Sequence, residues 1–518
     1  ENNRRWLSLD LLCGRVDTTH PLYKYLKQNQ VTDQQLSFFQ NNPCPPSIIG
    51  INHYLTSERY IDENIHHYPK HTWGGNGRHR YADVEAVRVS IECVGGPYEI
   101  LKEVWERYQL PLAVTEVHLY CTREEQLRWF NQVWENANQL KREGADIRAI
   151  TAWAIFGSFD WCSLLTRNLN IYEPGLFDVR ASVPRATALT RLVSTLISGK
   201  EFIHPVMEED GWWKRPCRIE YFLDESSKQI TCMPKATQPL LITGKTGTLG
   251  KAFERICALR GINCKALTRQ DYDITDPESI ERVIDLYKPW AIVNTAGYVR
   301  VDDAENDQEN CFLVNTLAPK YIAASCQKHG IKFVTFSSDL VFNGQKNNPY
   351  IESDLVSPLN IYGQSKAQAE QYVLANNNSA LIIRTSAFFG PWDNFNFVTH
   401  ALNSFKNNLE FAAASDVTIS PTYVPDLVNT TLDLLLDDEK GIWNISNKGE
   451  VSWASLAKDV AERSGFNPKL SKAVSISEMG LIAPRPFYSV LQTERGFELP
   501  KLEDALDRYF RERDLSLV

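Results

Sequence analysis

From residue 240 onward, short apolar runs alternate with segments whose apolar side chains recur every three or four positions. Residues 240–243, 264–268, 291–294, 332–336, 380–383 and 442–445 read as strands, with helices at 249–259 and 277–287. Strands apolar at consecutive positions are buried on both faces, and alternation with helices predicts a parallel sheet covered on each side. The first half is patterned differently. Residues 124–142 place Leu127, Phe130, Val133 and Leu140 near helical spacing. Around them, strand-like runs at 48–51, 112–115 and 150–153 end in polar or aromatic residues: Asn52, His53 and Tyr54; Glu116 and His118; Phe159, Asp160 and Trp161. Such residues just past the ends of strands are what a (β/α) barrel displays. Between about 200 and 239, mixed charge and turn formers break the periodicity. The expected domains are therefore 1–225, a linker at 226–238, and 239–518.

Composition narrows the class. The 518 residues suggest two to four domains, and 43% apolar with 23% charged residues is an ordinary globular balance. A net charge of −9 provides no basic face for nucleic acid or anionic lipid. No apolar run is long enough to predict a membrane span. Eleven cysteines without a CxxC pair read as reduced thiols in a cytoplasmic protein, and no metal site is expected. The chain opens on Glu1 and polar residues, which predicts no signal peptide and a natural start further upstream.

The second half carries candidate chemistry. Gly244-Lys245-Thr246-Gly247-Thr248-Leu249-Gly250 follows a strand and opens a helix, where backbone amides and the helix N-terminus favour a pyrophosphate. Arg269, at the end of the second strand, either meets a ribose 2′-phosphate, favouring NADPH, or is a solvated surface residue. Tyr362 and Lys366 stand four residues apart, on one face of a helix, where an ammonium lowers a phenol's pKa. Ser338 closes another strand and can hydrogen-bond a carbonyl oxygen.

With these features the second half resembles the extended short-chain dehydrogenase/reductases, and within them the dTDP-4-dehydrorhamnose reductase family. The likeness continues through Asp273-Ile274, Asn294-Thr295-Ala296-Gly297, Ser337-Ser338-Asp339, Ile383-Arg384-Thr385-Ser386, Asn396-Phe397-Val398 and Arg485-Pro486. It implies a cofactor, NADPH or NADH, held by Gly244, Thr246, Gly247, Leu249, Gly250, Arg269, Asp273, Ile274, Asn294, Ala296 and Gly297 with Tyr362 and Lys366. It implies a catalytic set of Ser338, Tyr362 and Lys366, with Ser338, Asn396 and Arg485 on the substrate. Ser338 stands where threonine is usual, and Leu340 where an aromatic is usual.

The first half resembles family 1 glycoside hydrolases. Gly50-Ile51-Asn52-His53-Tyr54 is similar to the sixth-strand motif, Val114-Thr115-Glu116 to the strand of the nucleophile, and 153–161 to the last strand. The resemblance implies Glu116 as nucleophile and Asn52, Tyr54, Asp160 and Trp161 around a sugar. The other reading of Glu116 is a buried, hydrogen-bonded carboxylate of the scaffold. The family's acid/base motif, Asn-Glu-Pro, does not occur in these 518 residues. Three strands in about 225 residues cannot close an eight-stranded barrel, which predicts a C-terminal portion of a longer fusion.

The expected fold is thus α/β: a partial (β/α)8-type barrel, then a doubly wound Rossmann-type sheet with a small C-terminal substrate-binding subdomain. The expected function is NAD(P)H-dependent reduction of a dTDP-linked 4-keto-6-deoxyhexose, most simply dTDP-4-dehydro-L-rhamnose, by a cytoplasmic enzyme that could pair as a homodimer. A sugar-nucleotide epimerase or dehydratase and a non-catalytic nucleotide-binding regulator are the alternatives.

Overall fold

The structure, a computed structural model, describes residues 3–89, 94–169, 171–222, 237–393 and 395–515. Residues 226–236 of the expected linker lie outside them. The chain divides into two compact units: Glu1–Leu119, Trp129–Trp153 and Arg218–Lys228 form the first, and Tyr120–Arg128, Ala154–Cys217 and Gln229–Val518 the second.

In the first unit, β1 (Ile49–Asn52), α1 (Gly96–Tyr108), β2 (Leu112–Val117), α2 (Arg123–Arg142, from Trp129 on) and β3 (Ile147–Ala152) alternate. The three strands are parallel neighbours in the order β1-β2-β3. Glu58 accepts the Gly95 and Gly96 amides at the start of α1, at 2.8 and 2.7 Å, where a carboxylate meets the positive end of the helix. The strands at 48–51, 112–115 and 150–153 are present with shifted ends; β3 begins three residues early, at Ile147.

The second unit contains α3 (Ala188–Ile197) and then β4 (Leu240–Thr243), α4 (Thr248–Arg260), β5 (Cys264–Leu267), α5 (Pro277–Tyr287), β6 (Ala291–Asn294), α6 (Ala318–His329), β7 (Lys332–Ser338), α7 (Ile361–Asn376), β8 (Leu381–Thr385), α8 (Phe397–Lys406), α9 (Val424–Leu436), β9 (Gly441–Asn444), α10 (Trp453–Arg463) and α11 (Leu502–Leu515). The six strands form one parallel sheet in the order β5-β4-β6-β7-β8-β9. Alternate strand residues bury opposite faces. Leu240, Ile242 and Val293 pack with Phe253 and Ile256 of α4 and Leu427 and Leu432 of α9. Leu241, Ile292 and Phe333 pack with Ile284 of α5, Ile322 of α6 and Val373 of α7. This doubly wound Rossmann-type sheet is the α/β fold expected of the reductase half. Its strand order reverses between β5 and β6 around β4, which opens a crevice at the strands' C-terminal ends. Beyond it, α8, α10 and α11 share a smaller core around Phe405, Val460 and Tyr509.

Residues upstream of 238 belong to this unit through buried charges. Arg260, at the end of α4, pairs with Glu124 at 2.5 Å and Asp433 at 2.7 Å. Asp437 takes Arg123 at 2.8 Å and Arg185 at 2.9 Å. The uniformly reduced thiols expected from the sequence need one correction: Cys217 is disulfide-bonded, while eight other described cysteines are free. Among the described residues, no helix is long and apolar enough to cross a membrane.

Candidate active site

The crevice holds a cavity of about 1050 Å3, lined from the glycine turn at one end to α10 at the other. The turn is built by backbone constraint. Gly244 has φ +75°, a left-handed conformation that disfavours side chains, and a Cβ there would stand 2.9 Å from the Ala296 amide. A Cβ on Gly250 would stand 2.1 Å from the Gly244 carbonyl, so the helix can start this close to the turn only without one. Thr246, Gly247 and Leu249 line the cavity beside the N-terminus of α4. These features fit a dinucleotide: a glycine turn bordering the cavity and a positive helix end beside it.

Arg269 and Asp273 line the same end, with Arg269 exposed and the Asp273 carboxylate accepting the Thr275 amide at 2.9 Å. Ile274, Ala296 and Gly297 complete that wall. Asn294 does not reach the cavity. It is 2% exposed and ties β4 to β7, accepting the Thr243 hydroxyl at 2.7 Å and donating to Thr335 at 3.2 Å. Its amide satisfies the buried hydroxyls of Thr243 and Thr335, a role that its place in the sequence motif could not reveal.

The candidate catalytic residues Ser338, Tyr362 and Lys366 stand where α7 crosses the end of β7. A Cβ on Gly363 would be 2.2 Å from the Leu340 carbonyl, so a glycine after Tyr362 lets α7 approach the strand end. Glu370, on the same helix, takes Arg384 of β8 at 2.8 and 2.7 Å and the Ser337 hydroxyl at 2.5 Å. These buried contacts fix the helix against β7 and β8. Tyr362 and Ser338 both line the cavity. Lys366 sits behind them, buried, with Nζ donating to the Phe336 carbonyl at 3.2 Å and lying 5.8 Å from the centre of the Tyr362 ring. Burial lowers the Lys366 pKa to about 8, against the raising influence of Cys311 and Glu370. The expected depression of the phenol's pKa does not dominate. Burial raises it above the ordinary tyrosine value, the Asp339 charge adds to this, and a hydrogen bond with Ser338 opposes it. Tyr362 is therefore held protonated at neutral pH, as a proton donor must be.

At the far end, Asn396 lines the cavity while capping α8, accepting the Thr399 amide at 2.9 Å. Arg485 lines it too, paired with Asp302 at 2.8 Å. Sequence motifs pointed to both but missed Trp453, Val417 and Met479, which line this end. They lie in separate elements and share no local pattern. Of the residues singled out in the first half, Tyr54 donates its hydroxyl to Glu116 in the first unit, where Asn52 is exposed. Asp160 and Trp161 belong to the second unit; Asp160 accepts the Ile171 amide at 2.9 Å and Trp161 is 39% exposed.

Comparison with known proteins agrees with this arrangement. The family described as RmlD substrate binding domain matches residues 238–513. The chain belongs to this family. It is 34% identical over 278 residues to the spore coat polysaccharide biosynthesis protein SpsK of Bacillus subtilis, a span of 53% of this chain and 97% of that protein. It is 32% identical over 268 residues to the dTDP-4-dehydrorhamnose reductase of Mycobacterium tuberculosis, 51% of this chain and 88% of that one. The crystal structure of dTDP-4-dehydrorhamnose reductase from Bacillus anthracis, in complex with NADP, matches with a TM-score of 0.50 at 31% identity, over 54% of this chain and 100% of the other. The RmlD-like part, residues 238–513, is thus a reductase-type domain, an oxidoreductase resembling dTDP-4-dehydrorhamnose reductases.

Proposed function

We propose that the RmlD-like domain, expected to span 239–518, reduces the C4 carbonyl of dTDP-4-dehydro-L-rhamnose to give dTDP-L-rhamnose, using NADPH or NADH. The observation that carries this reading is the meeting of Tyr362 and Ser338 with the glycine turn in one cavity. The amides around Gly244, Thr246 and Gly247 would hold the pyrophosphate, with Leu249 and Gly250 keeping α4 close. Arg269 would face a ribose 2′-phosphate, and Asp273 and Ile274 the adenine side. Ala296 and Gly297 would flank the nicotinamide half, and Lys366 its ribose. Bound there, the reduced nicotinamide supplies hydride to the carbonyl carbon. Tyr362 gives its proton to the carbonyl oxygen as negative charge develops there, and Ser338 keeps phenol and oxygen in register. Asn396 and Arg485 would hold the sugar nucleotide.

The test is consumption of reduced cofactor by the purified chain with dTDP-4-dehydro-L-rhamnose. One equivalent oxidised per dTDP-L-rhamnose formed is expected. Conversion of a sugar nucleotide without net cofactor oxidation would favour an epimerase or dehydratase, and binding without turnover a regulatory protein.

For the first half we propose a glycosidase-like scaffold, part of a (β/α)8-type barrel, that is catalytically incomplete. Three neighbouring parallel strands and the Tyr54–Glu116 contact support that reading. A cytoplasmic setting suits the proposed reduction, which draws on soluble cofactor and sugar nucleotide.

A further inference from the structure

Arg485, which lines the far end of the cavity, is held on two sides. Its Nη2 donates to Asp302 Oδ2 and its Nη1 to the Ala483 carbonyl, both at 2.8 Å. The other oxygen of Asp302 accepts the Ile482 and Ala483 amides, both at 2.9 Å. Asp302, Arg485 and Ala483 thus close a ring of hydrogen bonds that fixes the plane of the guanidinium. A guanidinium has five N–H donors; these partners engage two, and three remain for an anion.

Asp302 stands behind the wall that Val299, Arg300 and Val301 give the cavity. Its segment is bound on either side to the helix that carries Tyr362. The Tyr298 amide donates to Asn315 Oδ1 at 2.8 Å, and Asn315 Nδ2 to the Ser365 hydroxyl of α7 at 3.1 Å. Glu305 accepts the amide of Ile361, the first residue of α7, at 2.9 Å. The arm at 482–485 is tied to the same place. Asn360 Nδ2 donates to the Pro484 carbonyl at 2.8 Å, while its Oδ1 caps α7 by accepting the Gly363 amide at 2.7 Å. With side chains 32% and 16% exposed, an isolated Asp302–Arg485 ion pair would contribute little to stability. What the braced corner secures is orientation.

Resting on the reductase reading, we propose that Asp302 is a positioning residue for the sugar nucleotide. It holds the Arg485 guanidinium in one plane and in register with Tyr362, so that the remaining N–H groups meet the anionic diphosphate of the substrate. A planar fork matches phosphate oxygens in pairs, and a fork already fixed loses less freedom on binding.

Asp302→Asn separates position from scaffold. Asparagine can keep its oxygen on the Ile482 and Ala483 amides while turning its NH2 toward Arg485, which then lacks that acceptor. In the full chain, KM for dTDP-4-dehydro-L-rhamnose and the dissociation constant of dTDP-L-rhamnose should rise about tenfold or more. The NADPH dissociation constant should stay within about twofold of wild type. In an Arg485→Ala background, Asp302→Asn should change the dTDP-L-rhamnose constant less than about twofold, because the group it acts through is gone. Should Asp302→Asn melt too early to assay, Arg485→Lys keeps the cation but not the fork, and should weaken dTDP-L-rhamnose about as much. Wild-type affinity in the assayed variant would overturn the assignment. So would an undiminished loss in the Arg485→Ala background, the mark of a merely structural role. Either result leaves the reductase reading intact. A wild-type chain that neither reduces the substrate nor binds dTDP-L-rhamnose would overturn both.

Discussion

The Lys366 ammonium and the Tyr362 phenol lie on consecutive turns of α7, with the Lys366 Nζ 5.8 Å from the phenol's ring centre and bonded to the Phe336 carbonyl. The lysine is anchored to the strand that ends in Ser338, so its bond ties the helix carrying Tyr362 to that strand. In the proposed reaction its charge would serve the cofactor's ribose and a phenolate formed during turnover.

Tyr362→Phe tests the proton donor. The substitution removes only the phenolic oxygen, so fold and cofactor binding should persist while reduction falls about 10²-fold or more. Near-normal steady-state oxidation of NADPH would exclude Tyr362 from the chemistry.

The titration of Lys366 sets a pH dependence. Its pKa is lowered to about 8, so the ammonium is present below that pH and is lost as pH rises through it. If the charge supports catalysis, kcat/KM should be level near pH 7 and decline about tenfold per unit well above 8. A flat profile from pH 7 to about 9.5 would remove the role; Lys366→Met should be low and flat across the same range.

Arg269 is exposed at the cofactor end of the cavity, free to meet a 2′-phosphate. NADPH should bind about ten- to a hundredfold better than NADH, the worth of one charge-assisted contact, and Arg269→Ala should erase the difference. Equal dissociation constants for the two cofactors in the wild type would reject this.

Glu124 and Arg260 are 0% and 5% exposed and pair inside the second unit. Arg260→Met leaves the Glu124 carboxylate buried without its cation and should cost about 3–5 kcal/mol in denaturant melts, as should Glu124→Leu. The double replacement should cost less than either single one. Additive losses would mean that the two charges do not depend on each other.

Hydrolysis attributable to Glu116 should be absent. Transfer of an ordinary glycoside to a glutamate needs an acid on the leaving oxygen, and these 518 residues carry no Asn-Glu-Pro. A nitrophenyl glucoside, which needs little acid, is the stricter assay. Robust nitrophenol release abolished by Glu116→Gln would show that another carboxylate completes the site.

Sequence alone located the sheet of the second unit closely: β4, α5 and β6 have the ends read from the apolar pattern, because strands buried on both faces and helices capped by Asp276 or ended by Gly261 carry local signals. It also located the glycine turn and the Tyr362/Lys366 pair, whose chemistry depends on spacing within one element. Contacts between distant elements left no such trace. Asn294, read as a cofactor ligand, became a buried tie between Thr243 and Thr335; Asp339, one letter in a motif, gathered hydroxyls from three segments. The pairing of Arg260 with Glu124 placed residues upstream of 238 in the same compact unit as the Rossmann sheet. Periodicity, turns and helical spacing are set by neighbours in the chain and can be read along it. Which buried polar group finds which partner is decided only when the chain closes on itself, because a buried charge or hydroxyl must be satisfied by whatever the fold brings within reach.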